Sequence, residues 1–417
     1  MKSKNLLFIL LISLLLLPLS CNNPPAEVPV IDMDNPSGTI DLKISDLLDN
    51  ITIVPLESND HLILTTAGMS YIVTDHYILV SAGEKFLQFN RNGKYIKTLA
   101  IKGNGPNEYN YIINPMVDEK RNTLYFTDLK NQSEVISIDL VTGEFREFLI
   151  PNMLSNNIRA IDDDGNLYGF PSSSTIRISS LESGKSKETS DSLMLVYKYH
   201  PEKQSMTLFN GYHGFPSSTQ RNTIFRQSNN ILFFFSAYSD TLYRIKEELL
   251  VPLYAIKLKK AQTEIIQGGV FLNFLLSGSN SMVISKTESK FDITTSAGNI
   301  TRVSISVDLL AYLHLNNKEH LQSIRSMTID LLSLTIDVDD YIKKENNENL
   351  GDIPIKPFPS VSGVWAHYAV EAYNMIALIN DALKGHELTS SQRKTLEEVA
   401  AQIDEESNPV LIIGKIK

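Results

Sequence analysis

A pattern of short strands separated by Gly, Asn and Asp turns recurs along this chain, and its period limits the fold more than any other feature. The copies occupy 71–99, 116–150, a segment that begins at 158, and 224–256. Aligning Ile78, Leu124 and Leu167 gives intervals of about 46 and 43 residues, the length of a four-stranded propeller blade. The next step, to Ile231, is longer by an insertion, and 290–306 is typical of a hairpin in a fifth blade. The sequence therefore predicts an all-β fold, a β-propeller.

Two apolar segments at opposite ends of the chain are predicted to close the ring of blades. A propeller hides its sheet edges by combining strands from both chain ends in one blade. Segments 51–56 (ITIVPL) and 410–416 (VLIIGKI) are both strand-like. We expect them to share a blade, with the closing strand at about 409–416.

A late stretch has helical periodicity instead. Over 366–384 the apolar residues fall on one helical face, and the stretch ends before Gly385. A second helix follows, because Thr389 and Gln392 form a capping box ahead of an apolar i, i+3, i+4, i+7 face. The prediction is a small C-terminal helical insertion at about 366–404 that caps one end of the propeller. A separate helical domain is the alternative. The predicted closing strand comes after the two helices, which argues against a separate domain.

The N-terminus has the layout of a lipoprotein signal. Lys2 and Lys4 precede an apolar segment at 6–17, which has the length of a secretory signal and is short for a membrane span. Cys21 follows Ser20, an arrangement that resembles the lipobox of bacterial lipoproteins, where the cysteine is acylated. We predict lipidation at Cys21, so that lipid chains attach the protein to a membrane. An ordinary secreted protein with a free thiol, or an uncleaved anchor, is the alternative.

This layout divides the chain into three predicted parts. Residues 1–20 are the signal peptide, 21–38 a proline-rich tether, and 39–417 the propeller domain. Asn22 stands where an aspartate would mark inner-membrane retention, which favours the outer membrane. Whether the domain faces the periplasm or the exterior stays open.

Charge and cysteine content exclude some functional classes. The formal net charge is −10 and no basic run is present, so binding to nucleic acid is not expected. Cys21 is the only cysteine, so the exported domain is predicted to have no internal disulfide and to be stabilised by its core. The chain is 42% hydrophobic, which is enough to build that core.

Four stretches carry a resemblance to a known family. They are 53–57 (IVPLE), 89–109 (FNRNGKYIKTLAIKGNGPNEY), 240–245 (DTLYRI) followed by 251–254 (VPLY), and the ending 408–417 (NPVLIIGKIK). On these stretches the chain resembles the six-bladed β-propeller lipoproteins of Gram-negative bacteria, which are similar to NHL-repeat propellers. The resemblance covers most of the mature chain and implies six blades and an envelope location, with no established reaction.

The most specific part of this resemblance is a glycine-proline motif formed by Gly103, Gly105, Pro106, Glu108 and Tyr109. It is not interpreted as a phosphate-binding loop, because no Lys-Ser/Thr pair follows it. We interpret it as a connector between blades, in which Gly and Pro fix the turn and Tyr109 packs inward. Asn107 stands where the family usually has a second glycine, a change that a left-handed turn residue accommodates.

Two acidic runs suggest cation sites at first sight. The run at 162–165 (DDDG) lacks the alternating ligands and distant glutamate of an EF-hand loop, so a hairpin turn is the prediction. The second run, at 337–340, is interpreted as a solvated loop, with a cation site as the alternative. No cofactor and no metal site is predicted.

The eight histidines show no spacing typical of zinc ligands. Within 209–215 (FNGYHGF), however, Tyr212 and His213 lie between two glycines. They are candidates for ligand binding on an exposed loop, and a plain glycine-rich surface loop is the alternative. No nucleophile elbow occurs, and no catalytic residue is predicted.

Two functional hypotheses from different classes follow. In the first, a non-catalytic, membrane-anchored propeller binds an envelope glycan, peptide or protein on one face. In the second, the propeller is a hydrolase or lyase with a cation bound in its channel, which requires Asp, Glu or His side chains from several blades to converge on the axis. A purely structural subunit is a third possibility. The first is favoured, although fold alone does not decide function.

Overall fold

Six β-sheets make up most of the described chain. The computed structural model describes residues 28–59, 62–128, 131–150, 157–170, 194–210, 222–226, 231–236, 241–258, 268–293, 300–315, 321–346, 355–385 and 388–417. Within these ranges, every sheet is built on four antiparallel strands, and the six sheets form the blades of a propeller. The predicted fold class, a six-bladed β-propeller with a small helical insertion, is confirmed.

The first three blades follow one another along the chain. Given from the channel outward, the strands of blade 1 are Ser70–Val73, Tyr77–Ala82, Lys85–Asn90 and Tyr95–Lys102. Those of blade 2 are Ile112–Asp118, Thr123–Asp128, Asn131–Asp139 and Phe145–Leu149. Those of blade 3 are Asn157–Ile161, Leu167–Phe170, Met194–His200 and Ser205–Asn210.

The other three blades complete the ring. Blade 4 contains Asn222–Arg226, Leu232–Ser236, Thr241–Lys246 and Leu249–Lys257. Blade 5 contains Gly268–Ser277, Ser281–Ile293, Ile300–His314 and Leu321–Ile329, with Leu334–Asp337 added beside its last strand. Blade 6 contains Ser360–Ser362, Trp365–Val370, Val410–Ile416 and Leu48–Pro55.

Blade 6 closes the ring with strands from both ends of the chain. Its outermost strand, Leu48–Pro55, is antiparallel to Val410–Ile416, with Ile53 opposite Ile412 and Val54 opposite Leu411. These side chains are buried in the cores that blade 6 shares with its neighbours. The pairing predicted from the two apolar segments is confirmed.

The core lies between neighbouring blades. Phe86 of blade 1 stacks on Phe126 of blade 2 with ring centroids 6.5 Å apart, and Phe148 of blade 2 stacks on Tyr199 of blade 3 at 5.9 Å. Aromatic pairs of this kind add about 0.5–1.5 kcal/mol beyond the area that they bury. Six buried clusters, one between each pair of neighbouring blades, cover both faces of each blade and hold the innermost strands at fixed positions around the axis.

The N-terminal segment runs along the outside of the ring. Val30–Asp32 pairs in parallel with the outermost strand of blade 4. Thr39–Lys43 does the same on blade 5, and the chain then enters blade 6. We call 30–43 the N-terminal strap. The predicted tether extended to 38, but the structure already places strand Val30–Asp32 in a sheet, so the folded part begins earlier.

Four α-helices occur in the described ranges. They are α1 (Ile44–Leu47), α2 (Val338–Asn346), α3 (Ala372–Lys384) and α4 (Ser390–Ala400), with a short 3-10 helix at Asp330–Leu332. In α4, the Thr389 hydroxyl accepts a hydrogen bond from the Gln392 backbone amide, as the predicted capping box requires. None of the helices in these ranges is both long and apolar enough to span a membrane.

The helical insertion begins later than predicted. Trp365–Val370 is a strand of blade 6 that pairs with Val410–Ile416, and helix α3 starts only at Ala372. The prediction of helix from 366 was wrong because this strand is buried on both faces, with Ala366, His367 and Tyr368 all at most 5% exposed. Such strands lack the alternation that distinguishes strand from helix.

The predicted solvated loop at 337–340 was also wrong, because helix α2 begins there. Asp337 Oδ1 accepts a hydrogen bond of 2.8 Å from the backbone N–H of Asp340, and Asp339 and Asp340 lie in the first turn. Carboxylates at a helix N-terminus accept hydrogen bonds from the free backbone N–H groups of the first turn and interact favourably with the helix dipole. The acidic run starts the helix.

Candidate functional site

The innermost strands surround a channel of about 420 Å³. We call it the central channel; among the residues whose side chains the structure describes, its wall consists of 70–73, 115–117, 119, 159–161, 274–277 and 361–363, from blades 1, 2, 3, 5 and 6. Most of this wall is apolar, and residue Val361 remains 38% exposed. A cavity of this size and polarity is typical of small-molecule sites.

Three of the innermost strands are irregular where they form the wall. The pairing register shifts at Pro115 in blade 2, at Arg159 in blade 3 and at Leu275 in blade 5. All three of these residues line the central channel. An extra residue in one strand interrupts the ladder and redirects a side chain. Bulges therefore help to decide which side chains form the wall.

Two charged side chains belong to the described wall, Glu119 and Arg159. Glu119 Oε2 accepts a hydrogen bond of 3.0 Å from the backbone N–H of Asp75. Asp75 Oδ1 in turn accepts one of 2.9 Å from Trp365 Nε1. Glu119 thus takes part in a chain of contacts that joins the turns of blades 2 and 1 to blade 6.

The same chain of contacts includes Arg91, whose guanidinium lies beside Trp365, the single tryptophan of the chain. The Arg91 guanidinium carbon lies 4.2 Å from the centroid of the Trp365 ring. Burial lowers the pKa of Arg91, and the carboxylates of Asp75 and Glu119 act in the opposite direction. This arrangement stabilises the junction between blades 6 and 1.

Arg159 brings positive charge into the apolar wall. Burial lowers its pKa, and the Tyr197 phenol acts in the opposite direction. An arginine nevertheless stays protonated at any physiological pH. The central channel therefore carries a fixed positive charge at the bulge of blade 3.

Ser277 supplies a polar atom on another side of the channel. The residue is 5% exposed, and its Oγ makes no hydrogen bond within the described residues. A buried hydroxyl without a partner is unfavourable by about 1–3 kcal/mol. A ligand that bonds to Ser277 would recover part of that free energy.

The glycine-proline motif follows strand Tyr95–Lys102 of blade 1 and lies outside the channel wall, and its residues Glu108 and Tyr109 form a short strand that pairs in parallel with that strand. Glu108 Oε2 accepts a hydrogen bond of 2.6 Å from the backbone N–H of Gly105, and a Cβ on Gly103 would lie 1.9 Å from the same oxygen. Asn107 has a φ of 62°, and Tyr109 is 2% exposed. The turn thus contains a left-handed residue, whereas the contact at Gly103 is with the end of the flexible Glu108 side chain, which can move.

The acidic run at 162–165 forms the turn between the first two strands of blade 3. Asp162 Oδ1 accepts hydrogen bonds from the backbone N–H groups of Asp164 and Asn166, and Gly165 has a φ of 79°. This is the predicted hairpin turn. Across the described ranges, no three His, Cys, Asp or Glu side chains lie close enough to hold a metal ion.

Three of the predicted site residues fall outside the described residues. They are Cys21, the predicted lipidation site, and the pair Tyr212 and His213. All three stay predictions from the sequence.

Sequence reasoning missed both Arg159 and Ser277. The one local signal for Arg159 is a charged residue between the apolar residues Ile158 and Ala160. Because the strands of a blade are covered on both faces, consecutive apolar residues do not by themselves indicate a change of register there. Nothing in the sequence around Ser277 distinguishes it from other strand serines.

Residues 28–415 match a family model described as a domain of unknown function, DUF4934. The chain belongs to the DUF4934 family. A search of curated proteins finds no match to this DUF4934 protein.

Several solved structures are similar to this DUF4934 protein. A Bacteroides fragilis protein described as a candidate exported protein is 14% identical, with a TM-score of 0.52, over 91% of this chain and 99% of that one. A DUF4221 family member from Bacteroides vulgatus is 9% identical, with a TM-score of 0.46, over 89% and 97%. An inactive virginiamycin B lyase from Staphylococcus aureus is 12% identical, with a TM-score of 0.35, over 66% and 88%. At its level of identity the first likeness concerns the fold alone.

Proposed function

We propose that this DUF4934 protein is a non-catalytic binding module of the bacterial envelope that holds a small molecule in its central channel. The observation that carries the proposal is the wall itself, about 420 Å³ in volume and mostly apolar, with a few polar groups at fixed positions. Natural small-molecule sites combine these same features. The wall favours an apolar molecule or a short peptide over a glycan, which would need more hydrogen-bonding partners.

We also propose that lipid on Cys21 attaches the module to the outer membrane. The support is the N-terminal layout of basic residues, apolar segment and cysteine, together with the description of the Bacteroides fragilis relative as a candidate exported protein. Cys21→Ser should move the protein from the membrane fraction to the soluble fraction and abolish incorporation of labelled palmitate. Continued labelling of this variant would contradict the proposal.

Channel binding is tested with the full chain in phosphatidylcholine vesicles and the neutral dye N-phenyl-1-naphthylamine. Dye fluorescence above that of matched empty vesicles should saturate at one dye per protein. Val361→Arg places a long charged side chain in the channel and should abolish this signal. Val141→Arg is the matched control, because Val141 is 62% exposed and lies outside the wall. Equal dye binding by both variants would contradict a channel site.

A further inference from the structure

Arg159 restricts the chemistry of any ligand in the central channel. It stands at the bulge between Ile158 and Ala160, which are 1% and 5% exposed. A position between buried apolar residues disfavours a charged side chain such as that of Arg159. A guanidinium has five N–H donors in a planar fork, so it can receive an anionic ligand in addition to its contacts with the protein. The planar fork matches a carboxylate through two parallel hydrogen bonds.

Other wall residues limit how many charges the ligand carries. Glu119 places a negative charge on the blade 2 side of the channel, which disfavours a second anionic group there. The apolar wall at Met116, Phe274 and Val361 fits a hydrocarbon or apolar side-chain body. The Ser277 hydroxyl offers one further hydrogen bond.

We propose that the central channel binds a monocarboxylate with an apolar body, held by its carboxylate on Arg159. This inference deepens the proposed function and rests on it. The carboxylate can come from a fatty acid or from the C-terminus of an apolar peptide, two sources with the same recognition chemistry.

The experiment compares matched acids and amides. Octanoate and octanamide represent the fatty-acid source, and N-acetyl-leucyl-leucine and its C-terminal amide represent the peptide source. Each is titrated into the full chain in phosphatidylcholine vesicles, with displacement of N-phenyl-1-naphthylamine as the readout and empty vesicles as the blank. In at least one pair, the acid should bind about tenfold or more tightly than the amide, the size expected for a hydrogen-bonded charge.

Variants assign that preference to Arg159. Arg159→Gln should reduce the acid-to-amide ratio to about one while still binding the amide. Arg159→Lys should retain part of the preference, because it keeps the charge and loses the fork. Arg325→Gln, at an exposed site outside the channel, should leave the ratio unchanged. Ser277→Ala should weaken ligand binding several-fold without lowering the midpoint of thermal unfolding, because it removes an unpartnered buried hydroxyl.

The outcomes separate the two proposals. Equal binding of acid and amide by the wild-type protein would overturn the carboxylate inference while leaving channel binding intact. Absence of dye binding would overturn the proposed function itself. If Arg159→Gln still binds the acid more tightly than the amide, the carboxylate is bound at a place other than Arg159, and the inference is overturned. If Arg159→Gln does not fold, the acid-to-amide binding ratios of the wild-type protein and of Arg159→Lys still decide whether Arg159 binds the carboxylate.

Discussion

The side chain of Asn408 joins the two ends of the chain through three hydrogen bonds, two of them buried. Its Oδ1 accepts from the backbone N–H of Leu64 at 2.7 Å. Its Nδ2 donates to the carbonyl oxygens of Glu57 at 2.7 Å and Leu62 at 2.8 Å. At 2% exposure, no water replaces these partners if one is lost. The residue therefore fixes the connection that leads from blade 6 into blade 1.

Asn408→Asp should be strongly destabilising although the two side chains have nearly the same shape. It replaces two donors with a carboxylate oxygen that faces two carbonyl oxygens, and it places a charge in the interior. The free energy of unfolding should fall by about 3–5 kcal/mol in a denaturant titration. Asn92→Asp, in an exposed turn, is the control and should change little. Equal losses in both variants would refute this account of Asn408.

His367 is a buried base in the second strand of blade 6. Its ring centroid lies 6.0 Å from that of Tyr71 in blade 1, and its Nδ1 has no hydrogen-bond partner among the described residues. Burial lowers the pKa of His367 from 6.5 to about 4. The folded protein therefore holds this imidazole in its neutral form.

Stability should consequently fall as the solution becomes acidic. Between pH 6.5 and about 4, the unfolded chain binds a proton at this histidine and the folded chain does not, so protonation favours unfolding. The contribution of His367 is complete above pH 6.5 and is lost as pH falls towards 4, by about 3 kcal/mol in total. His367→Gln should flatten the dependence of the unfolding free energy on pH in this window. The control His76→Gln, at an exposed position, should retain the full dependence of the unfolding free energy on pH. A wild-type pH dependence in His367→Gln would exclude His367 as its source.

At the scale of elements, the turn of Gly93 is the point where blade 1 meets the closing blade. Gly93 has a φ of 79°, and its carbonyl accepts a hydrogen bond of 2.8 Å from the Glu57 backbone. A Cβ at this position would lie 2.0 Å from the carbonyl oxygen of Pro55. Both the backbone conformation and the space therefore require glycine.

Gly93→Ala should destabilise the protein by about 3 kcal/mol or more, because backbone strain and a clash with main-chain atoms add together. Gly83→Ala separates these causes. Gly83 also has a positive φ, of 56°, but a Cβ there would meet nothing within 4 Å, so only about 1 kcal/mol of backbone strain is expected. Thermal unfolding of the two variants measures the difference. Equal losses would show that the contact with Pro55 is relieved by movement.

The hairpins of the first four blades could be predicted because their signals are local. A turn such as 91–93 (RNG), flanked by apolar segments, specifies a hairpin without reference to the rest of the fold. Strand Trp365–Val370 could not be predicted in this way, because neighbouring blades cover both of its faces and remove the alternation. The acidic run at 337–340 was predicted to be a solvated loop because the same residue types, such as Asp, are common both at helix N-termini and in loops.

At the scale of the whole molecule, the central channel could not be predicted from the sequence. Its wall combines residues from Ser70 to Gly363, and they converge only because the ring closes. The bulges at Arg159 and Leu275 then determine what faces inward, and a bulge depends on how two strands pair. The sequence predicted the ring and its closing blade but none of the side chains that meet at its centre.

The N-terminal strap connects the predicted lipid anchor to three blades. Asp34 on the strap forms an ion pair of 2.6 Å with Lys286 of blade 5, and the two side chains are only 5% and 16% exposed. The pair of Asp41 and Arg325 further along the strap is much more exposed. The buried pair should therefore hold the strap more strongly than the exposed pair.

Deleting 30–36 from the full chain removes strand Val30–Asp32 and Asp34 together. The propeller should still fold, because ring closure depends on Leu48–Pro55, but its unfolding free energy should fall by about 3 kcal/mol, since Lys286 stays buried without Asp34. Hydrogen exchange should increase in the outermost strand of blade 4 and stay unchanged in blades 1 and 2. The control Asp41→Ala should leave exchange in blade 4 at the wild-type rate. Faster exchange in every blade would show instead that the strap is part of ring closure, and force on the anchor would then reach the whole propeller.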